Sequence, residues 1–86
     1  MIVLFYAGVL EFTGGEKSFE PECSPSIRAL IHELGCRYGD HLMEFLLGGD
    51  NCLFLVNGKS IAASEGLETK LRQGDRIEVL PFIEAG

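Results

Sequence analysis

A chain of 86 residues that is 47% apolar and 23% charged has the composition of one small folded domain with a single hydrophobic core, not of a disordered segment. Seven Lys or Arg stand against thirteen Asp or Glu, giving a net charge of −6. Phosphate backbones and anionic membrane surfaces select the opposite sign, so neither nucleic acid nor membrane is expected as a partner.

Ile2-Val3-Leu4-Phe5-Tyr6-Ala7 is a β-rich apolar run that predicts a first strand, with a possible continuation through Val9-Leu10-Glu11-Phe12. Gly14-Gly15 marks a turn, and Lys17-Ser18-Phe19-Glu20 alternates as a second strand that Pro21 ends. Ser24-Pro25 suits a helix start, because serine can cap free amides and proline at the first helical position loses no hydrogen bond. Ile27, Leu30, Ile31 and Leu34 then repeat at helical spacing, and Gly35 or Gly39 closes the helix. Asp40 is placed to cap a second, short helix through Leu47, stopped by Gly48-Gly49.

Cys52 to Val56 reads as a third strand, Asn57-Gly58 as a tight turn, and Lys59-Ser60-Ile61 as a short return. Leu67 and Leu71 are spaced as a single helical turn. Gly74-Asp75 turns the chain into a last strand, Arg76 to Leu80, which Pro81 closes. The expected fold is α+β, a small mixed sheet with one main helix packed on one face. Residues 1–81 form the domain and residues 82–86 a tail. The strands at Ile2 to Ala7 and Cys52 to Val56 are apolar at every position, so both sheet faces are apolar. Helices can cover one of them. The other is left for a partner, unless residues 59–73 fold over it.

Little in the chain assembles an active site. The glycine pairs lack the phosphate-loop ending, and neither G-x-G-x-x-G nor G-x-S-x-G occurs. His32 and His41 have no triad partners in view. Cys52 fits a core position, and no basic cluster activates Cys23 or Cys36. Three cysteines are too few for a four-thiolate site, and no short ligand spacing supports a metal site. Their odd number fits a reducing, cytoplasmic setting, and no basic segment precedes Met1-Ile2-Val3-Leu4 to mark a signal peptide.

Leu4-Phe5-Tyr6-Ala7, Leu55-Val56-Asn57-Gly58 and Gly74-Asp75-Arg76-Ile77-Glu78-Val79-Leu80-Pro81, in this order and ahead of a glycine-ended tail, resemble the ubiquitin-like β-grasp sulfur carriers of the MoaD/ThiS group. The short helix from Asp40 to Leu47 resembles the branch formed by the small subunit of molybdopterin synthase, MoaD. The resemblance implies that an E1-like adenylating enzyme of the MoeB/ThiF type uses ATP to activate the carboxylate of Gly86, which then becomes a thiocarboxylate. The carrier itself binds no cofactor. A large subunit of the MoaE type would accept the sulfur on a pterin precursor.

Phe82, Ile83, Glu84 and Ala85 would thread the tail into the partner, where glycine at the end lets backbone approach closely. Phe5, Leu55, Leu80 and Phe82 are the candidate docking anchors, with core packing the competing role for each. The ending Ala85-Gly86 departs from the family's Gly-Gly. It adds a methyl group one residue from the reacting carbon, which favours an uncharged β-grasp interaction module as the alternative. A ubiquitin-like protein modifier is the other, since activation of Gly86 would be the same. The final sulfur acceptor is open, with molybdopterin the default that the resemblance implies.

Overall fold

A computed structural model describes residues 1–22, 24–48 and 52–81. Among these residues the chain forms β1 (Ile2–Phe5), β2 (Ser18–Phe19), α1 (Ile27–Tyr38), α2 (Asp40–Leu47), β3 (Cys52–Val56), β4 (Lys59–Ser60) and β5 (Arg76–Pro81). The strands make one sheet in the order β2-β1-β5-β3-β4. The first and last strands run parallel as its centre, and every other pair is antiparallel. No helix among the described residues is long and apolar enough to cross a membrane.

The core lies between this sheet and the helices. Val3 and Phe5, Cys52 and Phe54, and Ile77 and Val79 alternate onto one sheet face and are buried there. Ile27, Leu30, Ile31 and Leu34 of α1, with Leu42 and Leu46 of α2, pack onto them. Tyr38 meets Phe5 edge to face at 5.8 Å and Phe19 at 6.1 Å, which seals the β1–β2 side.

Several boundaries differ from the sequence reading for local reasons. Ala7 turns into the left-handed region at φ 50, so the chain leaves β1 and winds as a 3-10 helix over Ala7–Glu11 with Val9 in the core. The second strand pairs only at Ser18–Phe19. The cap of α1 is Ser26, whose Oγ accepts a hydrogen bond from the Ala29 amide at 3.2 Å. Ser24 instead donates to Glu33 Oε1 at 2.7 Å, tying the approach segment to the helix. Pro25 precedes the helix, and its carbonyl accepts from the Leu71 amide at 2.9 Å.

Gly39, at φ 106, separates the two helices, so Asp40 is the first residue of α2 and not its cap. The return strand stops at Ser60, whose Oγ accepts from the Ala62 amide and starts a 3-10 turn over Ile61–Ala63. Leu67 sits in a second such turn, Gly66–Glu68, and Leu71 lies beyond it, so the two do not share a helical turn. This segment packs on the helical side: Ile27 N donates to Thr69 O at 3.1 Å, and Leu71 joins the core. Residues 59–73 therefore do not provide the cover considered for the opposite sheet face.

Candidate functional site: the open face of the sheet

Side chains alternate across a strand, so the residues between the core positions point away from the helices. On β5 these are Arg76, Glu78 and Leu80. On β3 they are Leu53 and Leu55, and on β1 they are Ile2 and Leu4. Registry lines them up in rows: Leu4 beside Glu78 beside Leu55, Ile2 beside Arg76, and Leu53 beside Leu80. The leucines are half-buried, and none belongs to the core cluster. The middle three strands thus expose a mostly apolar face around the end of β5.

Glu78 stands in the middle of that face. Its side chain is 19% exposed. Tyr6 continues β1 in extended conformation and its Oη donates to Glu78 Oε2 at 3.0 Å. The Arg76 guanidinium lies 3.9 Å from the same oxygen, two residues back along the strand. Beside the row, Leu4, Phe5, Tyr6, Ala7, Leu10 and Lys17 line a shallow notch of about 270 Å³.

The far end of β5 is held by two turns bonded to each other. Asn57 Nδ2 donates to Asp75 Oδ1 at 2.9 Å, and Asn57 Oδ1 accepts from the Arg76 amide at 3.0 Å. Asp75 Oδ2 accepts from the Arg72 amide at 2.7 Å. The two turn signals read separately in the sequence are therefore one structure, and it sets where β5 begins. At its other end Pro81 pairs with Cys52, and the chain passes to residues 82–86.

Of the residues expected to meet a partner, Leu55 and Leu80 lie on this face. Phe5 does not: it is 3% exposed and faces the helices, because β1 sends its odd residues inward. Its neighbour Leu4 takes the outward place. Phe82, Ile83, Glu84, Ala85 and Gly86, expected as the tail and its reactive end, lie outside the described residues, as does Cys23. Glu78, Tyr6, Leu4 and Leu53 were not singled out from sequence. Two charges, Arg76 and Glu78, at alternate positions of a strand whose other residues are apolar are the signal that could have found Glu78.

The remaining reactive groups do not converge. Cys52 is buried, and burial pushes its thiol up to about 11, which keeps it protonated and inert near neutral pH. Cys36, His32 and His41 are exposed along the helices. Among the described residues no group of three or more His, Cys, Asp or Glu is placed to hold a metal ion.

The model of the ThiS family matches this sequence over residues 3–86. The chain belongs to the ThiS family. Its fold is the ubiquitin-like β-grasp, shared with a chain of the BexX/CysO complex of Amycolatopsis orientalis at TM-score 0.82 and 24% identity, covering 99% of this chain and 98% of that one. The small archaeal modifier protein 1 of Methanosarcina acetivorans matches at TM-score 0.78 and 24% identity, over 99% and 94% of the two chains. A chain of the complex of subunits 1 and 2 of the Helicobacter pylori molybdopterin-converting factor matches at TM-score 0.66 and 24% identity, over 99% and 96%. The family match stands at the level of the ThiS family, and the shared fold does not single out the molybdopterin synthase small subunit within it. A protein of Archaeoglobus fulgidus named for sulfur carriage is 42% identical over 31 residues, which is 36% of this chain and about a third (35%) of that relative's length.

Proposed function

We propose that this ThiS-family chain is a sulfur carrier whose working group is the α-carboxylate of Gly86. The family match running through residue 86 carries the reading. A carboxylate is a poor electrophile. Attack on the α-phosphate of ATP, with loss of pyrophosphate, would give it a good leaving group. A sulfur nucleophile would then displace AMP and leave a thiocarboxylate. An E1-like adenylating enzyme supplies ATP and the catalytic groups, and residues 1–81 serve as the body that docks. The open face supplies the contact, with Leu55 and Leu80 as anchors and Leu4 in the place first given to Phe5. Phe82 to Ala85 form the tail that threads into the partner.

As acceptor we propose the pterin precursor held by a MoaE-type large subunit. The second helix, α2, supports that branch. A modifier role, with Gly86 joined to a lysine of another protein, uses the same activation. Its support is the shared fold with the small archaeal modifier protein.

Mass spectrometry of the C-terminal peptide tests the proposal. The protein is incubated with ATP, a sulfide source and the adenylating enzyme of the same organism, then cut with trypsin. Cleavage after Arg76 releases residues 77–86, a peptide without Met or Cys. Replacement of one oxygen by sulfur at Gly86 is expected. No adenylate and no thiocarboxylate, while a Gly-Gly carrier charges in the same tube, would overturn it. A lysine-linked adduct in cell extract would move the assignment to the modifier.

A further inference from the structure

We propose that the surface that docks on the open face carries one arginine guanidinium, placed within an apolar patch to meet Glu78. This rests on the reading that the open face is the docking surface.

Glu78 occupies the centre of an otherwise apolar row, between Leu4 and Leu55. It has one hydrogen-bond donor within the described residues, the Tyr6 hydroxyl, and the Arg76 guanidinium stays at 3.9 Å. Oε2 takes both contacts, and Oε1 accepts no hydrogen bond from the described residues. In the free protein that oxygen is open to water, since it is not among the fully buried unpartnered atoms. A partner covering Leu4, Leu55 and Leu80 removes this water along with the water on the leucines.

A carboxylate buried with one neutral donor, and with its in-chain guanidinium no nearer than 3.9 Å and only on Oε2, costs more than a leucine contact returns. A wholly apolar partner would therefore be rejected by the residue at the middle of the face. The partner that fits brings a donor pair to a planar acceptor. Guanidinium does this with two parallel N–H groups, is always charged, and is less strongly hydrated than ammonium. Tyr6 holds the carboxylate in a fixed rotamer for it. The assignment also separates true partners from any apolar surface, a discrimination that the leucines alone do not provide.

The test is the sign of an effect. Binding of the full chain to the adenylating enzyme of the same organism is measured by calorimetry for the wild type, Glu78→Gln, Glu78→Leu and Leu55→Asp. Thermal unfolding of each free variant confirms the fold. With a guanidinium opposite, Glu78→Gln weakens binding roughly ten-fold or more and Glu78→Leu at least as much, since both leave the partner's cation unpaired. With an apolar surface opposite, both variants bind as well as the wild type or more tightly, and the proposal is overturned. Glu78→Gln keeps an acceptor for Tyr6, so it decides the case if Glu78→Leu fails to fold or self-associates. Unchanged binding of Leu55→Asp would instead show that another face docks, and absence of wild-type binding would overturn the carrier reading itself. Either result removes the proposal's footing in a way that the Glu78 series alone would not produce.

Discussion

Cys52 and Cys36 carry the same side chain into opposite surroundings. Cys36 is exposed on α1, whereas Cys52 opens β3 inside the core. Near pH 8, alkylation followed by peptide mapping is expected to label Cys36 and to spare Cys52 until denaturant is added. The raised Cys52 value also makes stability depend on pH in a defined direction. Below about 9 the thiol is protonated in both folded and unfolded chains, and its stabilising share is whole. As pH rises through 9 towards 11 the unfolded chain loses its proton first, and stability falls by up to ~1.4 kcal/mol per pH unit. Denaturant midpoints measured from pH 8 to 11 should fall more steeply for the wild type than for Cys52→Ala.

The elements depend on a few contacts that single substitutions can break. A side chain placed at Gly35 of α1 would meet Met43 Cβ and Sδ of α2 at 3.0 Å, so the two helices approach as closely as they do because residue 35 has none. Gly35→Val is expected to lower stability by roughly 1–3 kcal/mol in urea unfolding, as overpacking usually does. At the other end of the sheet, Asn57 combines a left-handed backbone, φ 53, with its bonds to Asp75 and Arg76. Asn57→Gly keeps the backbone freedom and loses the bonds, whereas Asn57→Ala loses both. Alanine should therefore be the less stable, by about 1 kcal/mol in the same assay. These turns were legible because Asn-Gly and Gly-Asp act through their own backbones. The start of α1 was not, since Ser24 and Ser26 are equal as local caps. Glu33, a turn and more into the helix, is what engages Ser24.

Which sheet face each residue takes is a property of the whole molecule. In β5 the charges at Arg76 and Glu78 mark the open side, and Leu80 follows from them by alternation. β1 has no polar marker among Ile2–Phe5, so its parity is not legible in the sequence, and Phe5 faces the core and not the open side. The two faces should separate experimentally. Phe5→Ala is expected to cost about 3–5 kcal/mol of stability, the usual range for a buried phenylalanine. Leu55→Asp should leave the thermal midpoint within a few degrees of the wild type and abolish charging of Gly86, read by the same peptide mass. The β-grasp itself was legible from element order, the positions of the turns and the family resemblance. The setting of Glu78 was not, because its surroundings come from three strands that lie far apart in the sequence.

The parallel pairing of β1 with β5 also bears on how the protein is made. Ile2–Phe5 leaves the ribosome early, yet the strand that belongs between it and β3 comes last of the five. Until residues 76–81 emerge, the nascent chain holds two half-sheets with a gap between them and unpaired edges along it, the kind of surface that chaperones cover and proteases find. Translation that stops short of residue 76 would release a chain with no central strand. Such fragments would be cleared, and would not persist as folded bodies.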